Sequence, residues 1–293
     1  IRPYQYKMIK GIDFYNYCFT EIAKHKNIEI LYSEIGECKL QTDNPVFSFN
    51  GQKFSLGRPV VFNSIYRPTD KAGETIRLLQ HFKGWIIETC NPVFNPDKAT
   101  MMDFRVHQEH GTAFVYVLPF SETTALVEYT LFTKNLLQPE QYKEGLRNYI
   151  EEFLDIKEYK IKEEEFGIIP MSDEKFSFEG NGWQIGMAGG QTKASSGYTF
   201  QFIQKQSEQI VHQLIKGLPL SKIPGTSSRF NFYDNTLLYI LYHKKLPGDK
   251  IFGRLFKKNK HEMVLKFLDN ETSLKEELKI LFSLPTWPFL KAA

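Results

Sequence analysis

A single carboxylate within an apolar run is the first residue of this sequence that could do chemistry. The run 124–132 reads Thr-Ala-Leu-Val-Glu-Tyr-Thr-Leu-Phe, with Glu128 at its centre. In a β-strand, Leu126 and Thr130 share a face with Glu128. If that face is buried, desolvation raises the pKa of the carboxyl group and keeps it protonated near neutral pH. Such an acid could protonate an alkene, a very weak base. The alternative is a glutamate on a wet sheet face or one paired with a lysine or arginine.

The second candidate is a glycine-rich stretch at 182–200, which has five glycines within sixteen residues. Glycine has no Cβ, so the backbone can approach a ligand closely and can adopt a positive φ. The stretch lies between a strand that ends at Gln184 and Ile185 and a predicted helix at 199–215. A glycine turn before a helix N-terminus favours an anion, because free N–H groups and the helix dipole point at it. The alternative is an ordinary tight turn that packs a helix on a sheet.

The order of residues in this stretch is a more specific signal than its glycine content. Residues 185–200 read Ile-Gly-Met-Ala-Gly-Gly-Gln-Thr-Lys-Ala-Ser-Ser-Gly-Tyr-Thr-Phe. This run closely resembles the second flavin motif of the lycopene cyclase family, Gly-x-Ala-Gly-Gly-x-Thr-Lys-x-Ser-x-Gly-Tyr-x-Phe, which lies against FAD. The resemblance implies that the flavin contacts come from Gly186, Gly189, Gly190, Gly197 and Tyr198.

Other segments resemble the bacterial lycopene β-cyclase type in the same order along the chain. They lie at 80–89, 102–105, 267–272 and 284–289, so the resemblance covers nearly the whole sequence. The family's Phe-Leu-Glu-Glu-Thr motif stands here as Leu-Val-Glu-Tyr-Thr at 126–130. Its first glutamate, the family's proposed acid/base group, falls on Glu128. Its second is replaced by Tyr129, which puts in doubt any role that needs two adjacent carboxylates.

The resemblance implies an isomerase of carotenoid biosynthesis that cyclises the ends of lycopene to β-rings without net redox change. It further implies FAD in its reduced form, with NAD(P)H as the usual reductant. The first alternative is a redox flavoprotein on the same scaffold, such as a prenyl reductase or monooxygenase. The second is a non-enzymatic lipid-binding protein, which would fit the basic helical tail predicted at 228–293.

The composition excludes several other classes of protein. The formal net charge of +3 over 293 residues is too small to argue for nucleic acid, and no basic stripe has interleaved aromatic residues. The three cysteines are scattered, which suits a reducing cytosol. The histidines His81, His107 and His110 have no metal-like spacing, so we expect no metal. No apolar run is long enough for a transmembrane helix. We therefore expect a cytoplasmic protein, with peripheral contact at the inner face of the membrane as a further option for the tail.

The expected fold class is α/β. The resemblance implies a PHBH-like FAD-binding domain, an antiparallel substrate sheet and a helical C-terminal region. No G-x-G-x-x-G follows a strand near the start, so we expect the first βαβ unit of the FAD domain to be missing. The expected domains are part of the FAD-binding domain at 1–74, the substrate domain at 75–172, the return of the FAD-binding domain at 173–227, and a helical region at 228–293.

The hydrophobic pattern places the elements within these domains. Helices are predicted at 11–24, from Pro139 onward, and at 199–215. The second has one apolar face, formed by Tyr142, Leu146, Tyr149, Ile150 and Phe153. Strands are predicted at 28–32, 60–62, 80–89, 101–105, 113–120 and 124–132, with a hairpin through Asn50 and Gly51. Residues 159–166 form a charged segment without a strand assignment.

Two further carboxylates could take part in chemistry. Glu88 follows Trp85 in a strand, and it is either a second acid/base group or a surface carboxylate. Asp103 and Arg105 have the same parity in a strand. We expect this pair to be an ion pair that braces the sheet.

Overall fold

A computed structural model describes residues 7–39, 46–49, 51–55, 60–66, 75–174, 182–285 and 289. The chain divides into two compact units. One unit comprises Ile1–Ile65 with Phe176–Ile185, and the other comprises Tyr66–Lys175 with Gly186–Ala293. The glycine-rich loop and the C-terminal helices therefore belong to the same unit as the predicted substrate sheet.

The smaller unit contains one helix, α1 (Gly11–Ile22), and two small sheets among its described residues. Its antiparallel sheet consists of β1 (Ile35–Lys39), β2 (Val46–Phe49) and β3 (Gln52–Ser55). Strand β4 (Val61–Asn63) pairs in parallel with β10 (Gly182–Gln184), the strand that precedes the glycine-rich loop. The predicted hairpin is confirmed by the pairing of β2 with β3 and by the positive φ of +78° at Gly51. Asn50 lies outside the described residues.

The predicted strand at 28–32 is wrong. These residues have no regular structure, and the strand begins later, at Ile35. A β-rich composition forms a strand only where a neighbouring strand satisfies its backbone groups. Within the described residues, 28–32 has no such partner.

The larger unit is built on a five-stranded antiparallel sheet in the order β6-β7-β8-β5-β9. Its strands are β5 (Arg77–Glu88), β6 (Thr100–Asp103), β7 (Thr112–Pro119), β8 (Thr124–Thr133) and β9 (Lys160–Ser172). The first four correspond to predicted strands. The fifth, β9, includes most of the charged segment at 159–166, which was not among the predicted strands. Its pairing with the whole length of β5 makes it a strand, and its edge position tolerates Pro170.

Helix α2 (Pro139–Glu152) covers one face of this sheet. Proline at the first helical position fits there because its missing N–H would have no helical partner. The predicted apolar face is confirmed, with Tyr142, Leu146, Tyr149 and Ile150 buried. They pack against the residues of β8 that face away from Glu128, namely Ala125, Val127, Tyr129 and Leu131.

The C-terminal helices pack against the other face of the sheet. Helix α3 (Phe200–Ile215) follows the glycine-rich loop and ends near Gly217, whose φ is +62°. It is followed by α4 (Ser228–Tyr242), α5 (Gly248–Lys258), α6 (His261–Leu268) and α7 (Leu274–Ser283). Buried residues of α4, α5, α6 and α7 form one core with Phe114 and Phe132 of the sheet. None of the helices among the described residues is both long and apolar enough to span a membrane.

Candidate active site

Glu128 lies on the sheet face that the C-terminal helices partly cover. The pairing register places Tyr116 of β7 on one side of it and Gly84 of β5 on the other. Directly paired residues of an antiparallel sheet point to the same face, so these residues share a surface. The alternation predicted for β8 is therefore correct, and Glu128 is half-buried there.

The surroundings of Glu128 favour its protonated form. Its pKa is raised to about 7, chiefly because burial removes water from the carboxylate. The Thr130 hydroxyl opposes this shift by donating a hydrogen bond of 2.8 Å to Oε1. The nearby carboxylate of Glu165 raises the pKa further, through its negative charge and through a hydrogen bond. A substantial fraction of Glu128 is therefore a neutral acid at neutral pH.

Glu165 was not identified from the sequence. It lies on β9 opposite Gly84, which in turn lies opposite Glu128 on β8. The two glutamates thus flank one glycine on the same face of three adjacent strands. The sequence signal was weak, because Glu165 ends a run of three glutamates that looks like a solvated segment.

The glycine-rich loop has the backbone conformations that its composition predicts. Positive φ values occur at Gly186 (+61°), Gly190 (+72°) and Gly197 (+69°). A single 3₁₀ turn, Gly186–Gly189, begins the loop. The Gln191 N–H then donates to the Gly186 carbonyl at 3.0 Å. Glycine is the residue that adopts these conformations without steric cost.

One close contact joins this loop to the substrate sheet. A Cβ added to Gly197 would lie 2.0 Å from Oε1 of Gln80, so a side chain at this position would displace Gln80. Gln80 and Gly84 are four residues apart on β5 and point to the same face. At the rise of a β-strand, this separation corresponds to about 13 Å. The loop that resembles a flavin motif therefore lies beside the face that carries Glu128.

The charged residues of the loop anchor it to the C-terminal helices. The Lys193 ammonium group forms a buried ion pair of 2.8 Å with Asp234 of α4. It also donates a 2.6 Å hydrogen bond to Oδ1 of Asn270, which follows α6. The Ser195 hydroxyl donates to Asp234 at 2.7 Å. Sequence analysis missed this network, because its members lie far apart in the chain and none is unusual alone.

The other predicted flavin-binding residues have ordinary local contacts. The Gly189 carbonyl accepts a hydrogen bond of 3.0 Å from the Gln191 side chain. Tyr198 packs beside the helical core, and its carbonyl accepts from the Lys193 N–H at 2.9 Å. These contacts fix the loop and leave the roles of both residues as predictions.

The loop has features that fit a flavin. Oε1 of Gln80 is buried, and it has no hydrogen-bond partner within the described parts of the chain. A flavin ring carries an N–H donor that could satisfy such an acceptor. Among the described residues, a Cβ on Gly186 would meet only Ile203 Cδ1, at 3.8 Å, so this part of the protein leaves its backbone open. A flavin ring has polar edges. It would therefore fit a site that offers a buried acceptor and an open glycine backbone.

Glu88 and Asp103, the two other carboxylates that the sequence suggested, both have structural partners. Glu88 forms an ion pair of 3.3 Å with Lys162, and both side chains are about half exposed. It is therefore a surface carboxylate. Asp103 forms the expected ion pair with Arg105 at 2.5 Å and also accepts a hydrogen bond of 2.8 Å from Tyr149 of α2. This pair braces the sheet against the helix.

Comparison with known proteins agrees with this geometry. The family model described as lycopene cyclase protein matches residues 4–293. A triple mutant of the flavin-dependent brominase Bmp2 superposes with a TM-score of 0.52 at 12% identity, over 91% of this chain and 73% of that chain. Bmp2 without those mutations gives a TM-score of 0.51 at 12% identity, over 90% and 70%. No curated protein matches at a significant level. The predicted PHBH-like α/β fold with an antiparallel sheet is confirmed.

Proposed function

Because the chain belongs to the lycopene cyclase family, we propose that it cyclises the ends of lycopene to β-rings by acid/base chemistry, without net redox change. The family supports a carotenoid substrate, and the fold supports a flavin cofactor. The observation that carries the proposal is Glu128, a half-buried acid whose pKa of about 7 keeps it partly protonated. It shares its sheet face with the contact between Gln80 and the glycine-rich loop.

In the proposed reaction, Glu128 acts first as an acid. Its proton adds to the terminal double bond of lycopene and leaves a carbocation. The next double bond attacks this cation, which closes the ring by forming a carbon–carbon bond. Loss of a ring proton to a carboxylate then creates the ring double bond. Because Glu128 sits among Tyr116, Leu118 and Leu126 on its face, an apolar polyene can reach it with little competing water.

The glycine-rich loop would hold FAD, with Gly186, Gly189, Gly190, Gly197 and Tyr198 as the proposed contacts. When bound in its reduced form, the flavin would supply negative charge that stabilises the cation. NAD(P)H is the proposed reductant. The chain's own contribution is to fix this loop through Lys193 and Asp234.

We further propose peripheral contact with the inner face of the membrane, from which lycopene would enter. Helix α7 exposes Leu274, Leu278 and Phe282 at intervals of four residues, which places them on one face. Lys275 and Lys279 adjoin this stripe. A face of this composition can insert into an anionic lipid surface. Flotation with anionic liposomes tests the contact, and Leu278→Glu should abolish it. Equal flotation of this variant and the unchanged protein would exclude α7 as the anchor.

The cyclisation itself is tested with the protein in its full natural length, lycopene in liposomes and chemically reduced FAD under anaerobic conditions. Carotenoids are separated by chromatography, and flavin absorbance is recorded in parallel. In D₂O, protonation by an exchangeable acid should place solvent-derived deuterium in each new ring. We expect ring-bearing product with deuterium and with no oxidation of the flavin.

The other outcomes discriminate the alternatives. Flavin oxidation in proportion to product would move the assignment to a redox flavoprotein. Unchanged lycopene, with a protein shown to hold reduced FAD, would overturn the substrate assignment. Failure to bind flavin at all would favour the lipid-binding alternative.

A further inference from the structure

Three adjacent strands bring two glutamates to one point of the sheet. Gly84 of the central strand β5 pairs with Glu128 of β8 on one side and with Glu165 of β9 on the other. The side chains of such a row point to the same face. Two carboxyl groups therefore stand on either side of a residue that has no side chain.

Gly84 creates the space in which the carboxyl groups meet. A Cβ at this position would lie 2.7 Å from both Cγ and Oε1 of Glu165, and 3.0 Å from Cδ1 of Leu126. The Glu165 side chain thus extends across the glycine toward β8. The backbone φ of Gly84 is not positive, so glycine is needed here because it leaves space and not because of its conformation.

The neighbouring glutamate of β9 behaves differently. Glu164 points to the opposite face and forms an ion pair of 2.5 Å with Lys83. Glu165 has instead another carboxyl group as its neighbour. Two carboxylates at close range repel each other, and a single proton held between them relieves the repulsion.

Building on the proposed cyclisation, we propose that Glu165 is the second carboxyl group of an acid pair, and that it shares one proton with Glu128 across Gly84. Within this pair, Glu128 faces the substrate. Glu165 is a positioning residue that acts through Glu128. The family pattern has a second glutamate next to the first, at the position of Tyr129 here. In this chain the neighbouring strand β9 supplies a second carboxylate from a different direction.

The proton balance of the reaction suits such a pair. Before reaction the two groups hold one proton and one negative charge. Transfer of that proton from Glu128 to the inner carbon of the terminal double bond breaks an O–H bond, forms a C–H bond and leaves the cation on the outer carbon. The pair then carries two negative charges opposite the cation, which stabilises it. The ring proton lost at the end returns to the pair, while its C–H electrons form the ring double bond. The pair thus again holds one proton and one negative charge.

The electrostatic environment agrees with this arrangement. Burial is the main reason that the pKa of Glu128 is raised, and the charge of Glu165 and its hydrogen bond act in the same direction. The nearest other titratable groups that neighbouring strands place on this face are Tyr116 of β7 and Glu163 of β9. Neither is a cation that could replace the shared proton.

The test measures proton binding directly and does not need lycopene. Protein labelled with ¹³C at the glutamate side-chain carboxyl carbons is titrated by NMR, and the Glu128 signal is assigned by its loss in Glu128→Gln. Glu165→Gln should move the Glu128 titration to lower pH, because it removes the repelling charge. Glu165 is exposed, so this substitution takes nothing from the core. Glu164→Gln, one residue away on the opposite face, is the matched control and should leave the titration unchanged.

A second variant tests the geometry. Gly84→Ala should displace the Glu165 side chain and shift the Glu128 titration in the same direction as Glu165→Gln. In the cyclisation assay, both variants should lose activity several-fold above neutral pH and recover it under acidic conditions. A substitution that only perturbed structure would lower the rate equally at every pH.

The outcomes separate this inference from the proposed function. An unchanged Glu128 titration in Glu165→Gln would overturn the acid pair, whatever the enzymatic activity. A shifted titration in a protein that leaves lycopene unchanged would support the pair and reject the substrate.

Discussion

Gly197 lies so close to Gln80 that an added Cβ would stand 2.0 Å from the Gln80 amide oxygen and would displace this side chain. The two residues come from the two separate chain segments of the larger unit, one from β5 and one from the glycine-rich loop. Their contact fixes the loop on the face of the sheet that bears Glu128. The distance between the proposed cofactor site and the proposed acid is therefore set by β5 and by its pairing with β8.

We predict that Gly197→Ala weakens flavin retention. The new methyl group would push Gln80 aside and would also occupy a positive φ, which costs about 1–2 kcal/mol. Flavin absorbance per mole of protein after gel filtration measures the effect. Gly217→Ala is the control, because Gly217 has a similar φ of +62° but no atom of the described residues within 4 Å of an added Cβ. Equal flavin loss in both variants would show that backbone strain alone is responsible.

Replacement of Glu128 by glutamine should remove cyclisation. The amide has nearly the same shape as the carboxylic acid but is not an acid, and loss of a general acid commonly costs about 10²- to 10⁴-fold in rate. Product formation is measured by chromatography of carotenoids, with flavin content as the check on folding. A variant that retains flavin and cyclises lycopene at the original rate would exclude Glu128 as the acid.

Thr130→Val should extend activity to higher pH. The Thr130 hydroxyl donates a hydrogen bond to Glu128 and thereby favours its ionised form. Removal of that bond should raise the pKa of Glu128 above its value of about 7, so the acid form would persist as pH rises. The alkaline limb of the rate–pH profile reports this shift. Movement of the limb toward acidic pH would contradict the assigned direction.

The buried ion pair of Lys193 and Asp234 should be essential to stability. Both side chains are almost fully buried, so Asp234→Ala would leave an uncompensated ammonium group in the core. Loss of one partner of a buried pair costs about 3–5 kcal/mol. The urea midpoint gives the change. Glu271→Ala, which breaks the exposed pair with Lys205, is the control and should cost less than about 1 kcal/mol. Similar losses in the two variants would argue against an anchoring role.

Acid should destabilise the protein through His81. This histidine is fully buried and hydrogen-bonded to Thr133 and Tyr142, and burial lowers its pKa from 6.5 to about 4. The unfolded chain therefore binds the proton more tightly than the folded chain. The free energy of unfolding should fall by up to about 3 kcal/mol as pH drops through this range. Urea titrations at several pH values measure the slope. His81→Gln should flatten it, and an unchanged slope would assign the effect to other groups.

The sequence predicted the elements whose evidence is local. Strand alternation correctly placed Glu128 on one face of β8 and Tyr129 on the other, and an apolar stripe correctly marked the buried side of α2. The strand predicted at 28–32 is wrong because a strand needs a partner strand, and local sequence does not show whether one is present.

Glu165 could not be identified for a related reason. Its importance comes from pairing with β5 across a separation of 81 residues, as the register Gly84↔Glu165 shows. Within its own segment it is one of three consecutive glutamates, and such runs are usually solvated. A glycine in the middle of β5 was the available signal, since glycine in a strand often marks a close approach.

The hydrogen bond between Lys193 and Asn270 joins positions that are 77 residues apart. During synthesis, the glycine-rich loop therefore leaves the ribosome well before the residues that hold it in place. We expect nascent chains that stop before α4 to bind no flavin, and chains that extend beyond α7 to retain it. Flavin fluorescence of stalled ribosome complexes would reveal the difference, and early retention would refute it. Cofactor loading would then be a late step in the biogenesis of this protein.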